Sequence, residues 1–397
     1  MENRFGMFVH WGFYALTGYQ EQALARQNLD NVEYEKLKDR FNPVNYRPEE
    51  WMLLAKNAGM KYICFTAKHH DGFCMWNTAQ TDYNIMNTPY GRDILLELSQ
   101  ACQKHGMALS LYYSNPDWHE PCAYNPLSSH QWKSPALSQG DSEKYRAFVK
   151  AQITELLTNY GPIYTLFWDI PPRYEDRSIN ELVRSLQPGI LINDRGYDPG
   201  DFSTPERSVP DGSRFEHMTE ACQSVGEQSW GYRKDEDYYT PRFLMASVDK
   251  IMAMGGSYLL NVGPMADGRI PDQASSLIRR VGDWYNRMQG TLEDTQADPT
   301  DYQIPNNPYV ALRKDGKTYL HFYQGLVSGA VILRAYPGKP AHVRLMNSGE
   351  TMLCEETYLP NWFDENGCAK GPVLRIFSIP VHRFTEEPIV LEIAWES

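Results

Sequence analysis

Lys61-Tyr62-Ile63-Cys64-Phe65-Thr66-Ala67-Lys68-His69-His70-Asp71-Gly72-Phe73 is an apolar run that stops abruptly in two histidines, an aspartate and a glycine. A β-branched and aromatic run ending this way reads as a buried strand opening onto a polar loop, and α/β enzymes place their chemistry at strand ends. Side chains alternate across a strand, so His69 and His70 are sent to opposite sides and only one need face a cavity. A surface turn is the plainer reading of the same residues.

Working outward, the pattern recurs. Phe5-Gly6-Met7-Phe8-Val9 ends in His10-Trp11-Gly12, and a helix beginning at Pro48-Glu49-Glu50 runs to Gly59 before the quoted strand. A helix over 93–105, stopped by Gly106, precedes a strand over 107–113 and the polar loop Ser114-Asn115-Pro116-Asp117-Trp118-His119. Residues 120–140, rich in Pro, Ser and Asn, are too long for an ordinary connection and read as an excursion that caps a site. A helix over 141–159 follows, then a strand over 163–168 that delivers Asp169 before Pro171-Pro172. A helix over 179–186 leads to strand 190–192, which delivers Asn193-Asp194-Arg195. The pattern weakens over 196–237, where a sixth strand is expected near Phe215; helix 241–254, strand 257–262 and helix 272–288 complete the region.

Strand and helix alternating in units of about 40 residues, with polar groups at successive strand C-termini, predicts a (β/α)₈-like TIM barrel. A doubly wound sheet is the alternative; it would carry a glycine-rich phosphate turn after its first strand, and His10-Trp11-Gly12 is not one. From Pro299 onward short alternating strands predict an antiparallel β-sandwich. The expected division is residues 1–295 for the barrel and 296–397 for the sandwich.

The net charge of −12 argues against nucleic acid or an anionic membrane as partner. The 26 tyrosines and 10 tryptophans suit a carbohydrate site, although most will be core. Seven cysteines without a CxxC spacing indicate neither a disulfide framework nor a zinc site. With no apolar leader ahead of Arg4-Phe5-Gly6-Met7, the expectation is a soluble cytoplasmic protein, or a periplasmic or secreted one had a signal peptide been trimmed.

Asp169, directly after Phe167-Trp168, is placed to attack a sugar's anomeric carbon; a helix N-cap or an ion pair with Arg173 is the plainer alternative. Glu206 in Thr204-Pro205-Glu206-Arg207 and Glu220 in Met218-Thr219-Glu220-Ala221-Cys222 are candidate general acids. His10, His69, His70 and Asp71 could instead hold a metal, but adjacent histidines rarely ligate one ion from a straight strand. No GxSxG elbow supports acyl transfer.

Arg4-Phe5-Gly6-Met7-Phe8-Val9-His10-Trp11-Gly12, Lys68-His69-His70-Asp71-Gly72-Phe73, Ser229-Trp230-Gly231-Tyr232 and Leu259-Leu260-Asn261-Val262-Gly263-Pro264-Met265-Ala266-Asp267-Gly268 together resemble the α-L-fucosidases of glycoside hydrolase family 29, over residues 1–290. The resemblance implies a retaining exo-acting enzyme that needs no cofactor, with a catalytic barrel and a C-terminal sandwich. It implies that Asp169 is the nucleophile and that His10, His69, His70, Glu21, Tyr113, Arg195 and Trp230 contact the sugar. Glu206 is favoured as acid/base, with Glu220 as alternative. The implied partner is a fucosylated oligosaccharide or glycoconjugate, and an oligomer is possible. Two departures stand out: Gln22 replaces an expected tryptophan, and Ile170-Pro171 replaces the commoner glycine after the nucleophile, predicting another loop shape. They leave room for a related sugar such as a galactoside, or for a degenerate fucose-binding member.

Overall fold

A computed structural model describes residues 3–131 and 140–396. Seven parallel strands form one sheet: β1 (Phe5–Val9), β2 (Tyr62–Lys68), β3 (Ala108–Ser114), β4 (Ile163–Asp169), β5 (Leu191–Ile192), β6 (Glu220–Ser224) and β7 (Ser257–Val262). They lie in the order β5-β4-β3-β2-β1-β7-β6. β1, β2, β6 and β7 are buried along their whole length, which is why β1, β2 and β7 read as near-continuous apolar runs, whereas β6 buries Glu220, Gln223 and Ser224 and does not.

The connections are helical, from the short turns α1 (Ala23–Arg26) and α2 (Asn31–Glu35) through α3 (Pro48–Asn57), α4 (Ile94–His105), α5 (Ser142–Asn159), α6 (Arg177–Leu186), α7 (Pro241–Ala253) and α8 (Asp272–Leu292). Local chemistry sets their ends. α3 opens on a proline with Glu49 and Glu50 in its first turn. The Asp93 and Asp141 carboxylates accept from the Leu96 and Lys144 amides, and α4 closes on Gly106 at φ 66°.

No strand forms near Phe215; the expectation is corrected to β6, five residues further on, while the Phe215 amide donates to the Met254 carbonyl instead. Between β5 and β6 the chain makes isolated parallel pairings that the sequence did not announce: Phe202 with Asn193, Ser203 with Thr219, and Glu206 with Cys222. The backbone bonds Asp194 N to Phe202 O, Cys222 N to Pro205 O and Arg207 N to Cys222 O knit this segment to both neighbours.

C-terminally, β8 (Gln296–Ala297), β9 (Val310–Lys314), β10 (Lys317–Phe322), β11 (Ala330–Leu333), β12 (Pro340–Leu345), β13 (Thr351–Thr357), β14 (Val373–Phe377) and β15 (Ile389–Trp395) form a separate antiparallel sheet. Its core gathers Leu320, Phe322, Val331, Leu333, Val343, Leu345, Ile376 and Leu391. Two compact units result: one holds 1–208, 217–239 and 257–279, the other 209–216, 240–256 and 280–397. No helix among the described residues is long and apolar enough to cross a membrane.

Candidate active site

Strand alternation builds the site. On one face of the parallel sheet, Phe8, Tyr62, Cys64, Tyr112, Phe167, Cys222 and Leu259 pack together. Where these strands end in sequence, a cavity of about 120 Å³ opens, lined by His10, Glu21, Gln22, His69, His70, Tyr112, His130, Asp169, Ile170, Arg195, Glu206 and Trp230. The turn after β2 that presents both histidines depends on Gly72, whose φ is 82° and where a Cβ would sit 2.2 Å from the Asp117 carboxylate. Beneath them Lys68 donates to Asp117 at 2.8 Å, both side chains fully buried.

Asp169 closes β4. Tyr112 O–H donates to its Oδ2 at 2.7 Å and Arg195 Nη1 to its Oδ1 at 3.1 Å, while His70 Nε2 stands 3.8 Å from Oδ2. Burial alone would raise the pKa of this carboxyl; His70, Arg195 and the Tyr112 bond outweigh it, and the net shift is downward. His70 is itself neutral near pH 7, so the Arg195 guanidinium is the cation that matters. The same Arg195 Nη1 donates to Glu206 Oε2 at 2.8 Å. One nitrogen therefore holds both carboxylates, and their bonded oxygens are within about 6 Å of each other. Arg195 is fixed in turn by Thr204, through Nε to the hydroxyl and Nη2 to the carbonyl.

Both strand-end histidines are neutral for the same reason. Burial pushes His10 down to about 4 and His70 down to about 3. Asn261 spends its amide N–H groups on Ser224 and Trp230, so its Oδ1 accepts from His10 Nδ1 at 2.7 Å. Ser114 donates to the Pro116 carbonyl and accepts from His70 Nδ1, also at 2.7 Å. In each ring Nε2 is left as an acceptor, suited to a hydroxyl donor. His69 stacks on Tyr112 at 5.5 Å, and burial lowers its pKa as well.

Glu21 Oε2 accepts the backbone N–H groups of Trp230 and Gly231 at 3.0 and 2.9 Å, fixing the turn that carries Trp230. The Arg207 guanidinium lies 4.5 Å over the Trp230 ring.

The cavity thus assembles Asp169, Glu206, His10, His69, His70, Glu21, Arg195 and Trp230, and two expectations are corrected. Tyr113 does not line it: its side chain leaves the other face of β3, donates to Gln152 on α5 at 2.7 Å and lies 4.3 Å from the Lys68 ammonium. Its neighbour Tyr112 lines the cavity instead. Glu220 does not line it either, because it begins β6 instead of ending it; Tyr62 O–H donates to its Oε2, and burial raises it to about 7. Asp71 accepts from Tyr34 O–H and Phe73 N–H, away from the cavity. Among the described residues no group of three or more His, Cys, Asp or Glu is arranged to hold a metal ion.

Of the capping excursion, residues 132–139 lie outside the described residues, while His130 lines the cavity. No sequence pattern marked His130. Ile170 takes φ 57°, so the backbone after Asp169 has the left-handed conformation that glycine adopts freely.

Two carboxylates held by one arginine nitrogen, one at the end of β4 and the other on the segment paired with β6, beside neutral histidines and aromatic walls, define a glycoside hydrolase site. The family model described as alpha-L-fucosidase matches residues 1–289, and the chain belongs to that family. Rat tissue alpha-L-fucosidase is 28% identical over 379 residues, 84% of this chain and 78% of that protein. Human plasma alpha-L-fucosidase is 26% identical over 95% of this chain and 86% of its own length. Alpha-L-fucosidase isoenzyme 1 from Paenibacillus thiaminolyticus superposes with a TM-score of 0.86 at 30% identity, covering 100% of this chain and 97% of that one. A family 29 alpha-L-fucosidase from Bacteroides thetaiotaomicron, trapped as a covalent intermediate with 2-fluoro-fucosyl fluoride, gives 0.78 at 26% identity, covering 100% of this chain and 95% of that one.

Proposed function

We propose that this chain removes terminal α-L-fucose from fucosylated glycans by double displacement, with Asp169 as nucleophile and Glu206 as acid/base. The observation that carries the assignment of residues is the single Arg195 nitrogen bonded to both carboxylates. In the first step an Asp169 oxygen bonds to the anomeric carbon while Glu206 protonates the departing glycosidic oxygen. Arg195 and Tyr112 keep Asp169 ionised and aimed. Forming the ester removes one negative charge from Arg195 and leaves it a single carboxylate partner, the arrangement a general base needs when Glu206 takes a proton from water. Water then attacks the same carbon and fucose leaves with retained configuration.

The Nε2 atoms of His10 and His70 support hydroxyl recognition, and Phe8, Phe167 and Trp230 offer an apolar wall to the methyl of a deoxy sugar. We read the parallel sheet as a (β/α)₈-like barrel whose missing strand is the paired segment 202–206, and the second sheet as a β-sandwich. A catalytic domain of residues 1–295 and an accessory domain of 296–397 fit the extent of the family match. Seven unpaired cysteines favour residence in a reducing cytoplasm.

The test uses nitrophenyl α-L-fucoside. Asp169→Ala should abolish turnover, and Glu206→Ala should slow hydrolysis of fucosides with poor leaving groups most, with azide restoring the second step as a fucosyl azide of retained configuration. A wild-type enzyme inert on this substrate and active on a galactoside would move the assignment to a related sugar. Azide rescue appearing with Glu220→Ala alone would move the acid.

A further inference from the structure

Asn115 lies one residue beyond β3, 4% exposed, outside the lining of the catalytic cavity. Its side-chain Nδ2, which carries two N–H groups, faces three backbone carbonyls and shares one N–H between two of them: Asp169 at 3.1 Å, Ile170 at 3.0 Å and Arg195 at 3.2 Å. Its own amide N–H adds a bond to the Asp169 carbonyl at 3.0 Å, and its carbonyl accepts from Tyr145 O–H on α5 at 2.6 Å. One side chain thus ties the end of β4 to the residue after it and to the arginine beyond β5.

What it ties down would otherwise relax. Ile170 is β-branched and sits at φ 57°, a conformation such residues rarely adopt. It is also followed by Pro171, which disfavours helical backbone at the preceding residue. A strained residue persists only where its surroundings over-determine it, and here the strained residue is bonded to the nucleophile. The Ile170 carbonyl, which any rotation about this residue would swing, is one of the three that Asn115 holds.

We propose that Asn115 is a positioning residue for the reaction: its amide holds the left-handed turn at Ile170 and the backbone of Arg195, so that Asp169 and the guanidinium shared with Glu206 stay in attacking geometry. The inference rests on Asp169 being the nucleophile. Displacing a reacting group by about 1 Å costs ~100-fold in rate.

The experiment is covalent labelling with 2-deoxy-2-fluorofucosyl fluoride, in which the Asp169 Oδ–C1 bond forms as C1–F breaks and fluoride leaves. The labelling rate constant of Asn115→Ala, counted per folded, titratable site, should fall ~100-fold while the affinity for L-fucose stays within about three-fold, because His10, His69, His70 and Trp230 make no bond to Asn115 and keep their places in the cavity. Glycine accepts φ 57° without strain, so in an Ile170→Gly background the same substitution should cost at least about five-fold less. If Asn115→Ala does not fold, Asn115→Ser, which keeps one donor, is measured in the same way and should show a smaller loss. A per-site labelling rate within about three-fold of wild type, or an equal loss in the Ile170→Gly background, would overturn the proposal. Label on a residue other than Asp169 in the wild-type enzyme would instead sink the functional reading beneath it.

Discussion

Glu220→Gln separates a buried structural carboxyl from a catalytic one. Glu220 is fully buried at the start of β6, accepts from Tyr62 through Oε2 and has no partner for Oε1. Burial raises its pKa from 4.5 to about 7, with the Tyr62 bond only partly opposing it. The sign follows: the folded protein holds this proton between pH 4.5 and 7 where the unfolded chain has lost it, so stability falls as pH rises through that window. Above it, the cost of keeping an ionised carboxylate there is at most about 3 kcal/mol, from 1.36 kcal/mol per pH unit. Glutamine preserves the acceptor for Tyr62 and cannot ionise. The variant should therefore melt a few degrees above wild type at pH 8, match it at pH 4.5, and keep kcat on nitrophenyl α-L-fucoside within about two-fold. Paired thermal melts and initial rates at the two pH values check this. A variant less stable than wild type at pH 8, or one whose turnover collapses and returns with azide, would refute the reasoning and restore Glu220 as an acid/base candidate.

Tyr112→Phe removes the O–H bond to Asp169; a hydrogen bond to a charged group contributes about 1.5–3 kcal/mol, so kcat/KM should drop roughly 10- to 100-fold. Tyr113→Phe should cost stability and leave kcat/KM nearly unchanged in the same assay, because its hydroxyl faces Gln152. L-fucose affinity, followed by calorimetry, should weaken as pH falls through about 4, where protonation of His10 turns its acceptor Nε2 into a donor; affinity flat to pH 3 would argue against that contact. Lys68→Met strands the Asp117 carboxylate in the interior and should destabilise the fold by about 3–5 kcal/mol in chemical denaturation, with Asp117→Asn recovering part of the loss.

The catalytic strand ends were legible because parallel strands buried on both faces are continuous apolar runs, and the first polar residue after each run marks a site position. His10, His69, His70 and Asp169 were found that way. Burial on both faces is also why Tyr112 and Tyr113 could not be told apart: with no polar face to set the phase, two adjacent tyrosines carry no clue to which one looks inward. The segment 202–206 was illegible for the opposite reason, since Pro205 and Glu206 are disfavoured in strands and its pairing is imposed by the strands on either side. β13 carries little apolar signal in the sequence, because most of its side chains are exposed or half-exposed, with Met352 alone buried. His130 sits in a stretch of turn-formers with no periodicity.

The pairing of Glu206 with Cys222 has a consequence for how such an enzyme can diversify. The proposed acid/base, Glu206, is carried on a segment knitted to a buried strand, and the chain leaves that pairing after Arg207 to rejoin it at Thr219. Residues 208–218 between these anchors are largely exposed, the kind of connection that accepts insertions. Lineages can lengthen or rewrite this connection, acquiring contacts to the sugars beyond fucose, with Glu206 left in register. Libraries randomised over 209–217 should accordingly yield a high proportion of active clones with divergent linkage preference, whereas those randomised over 203–207 should yield few.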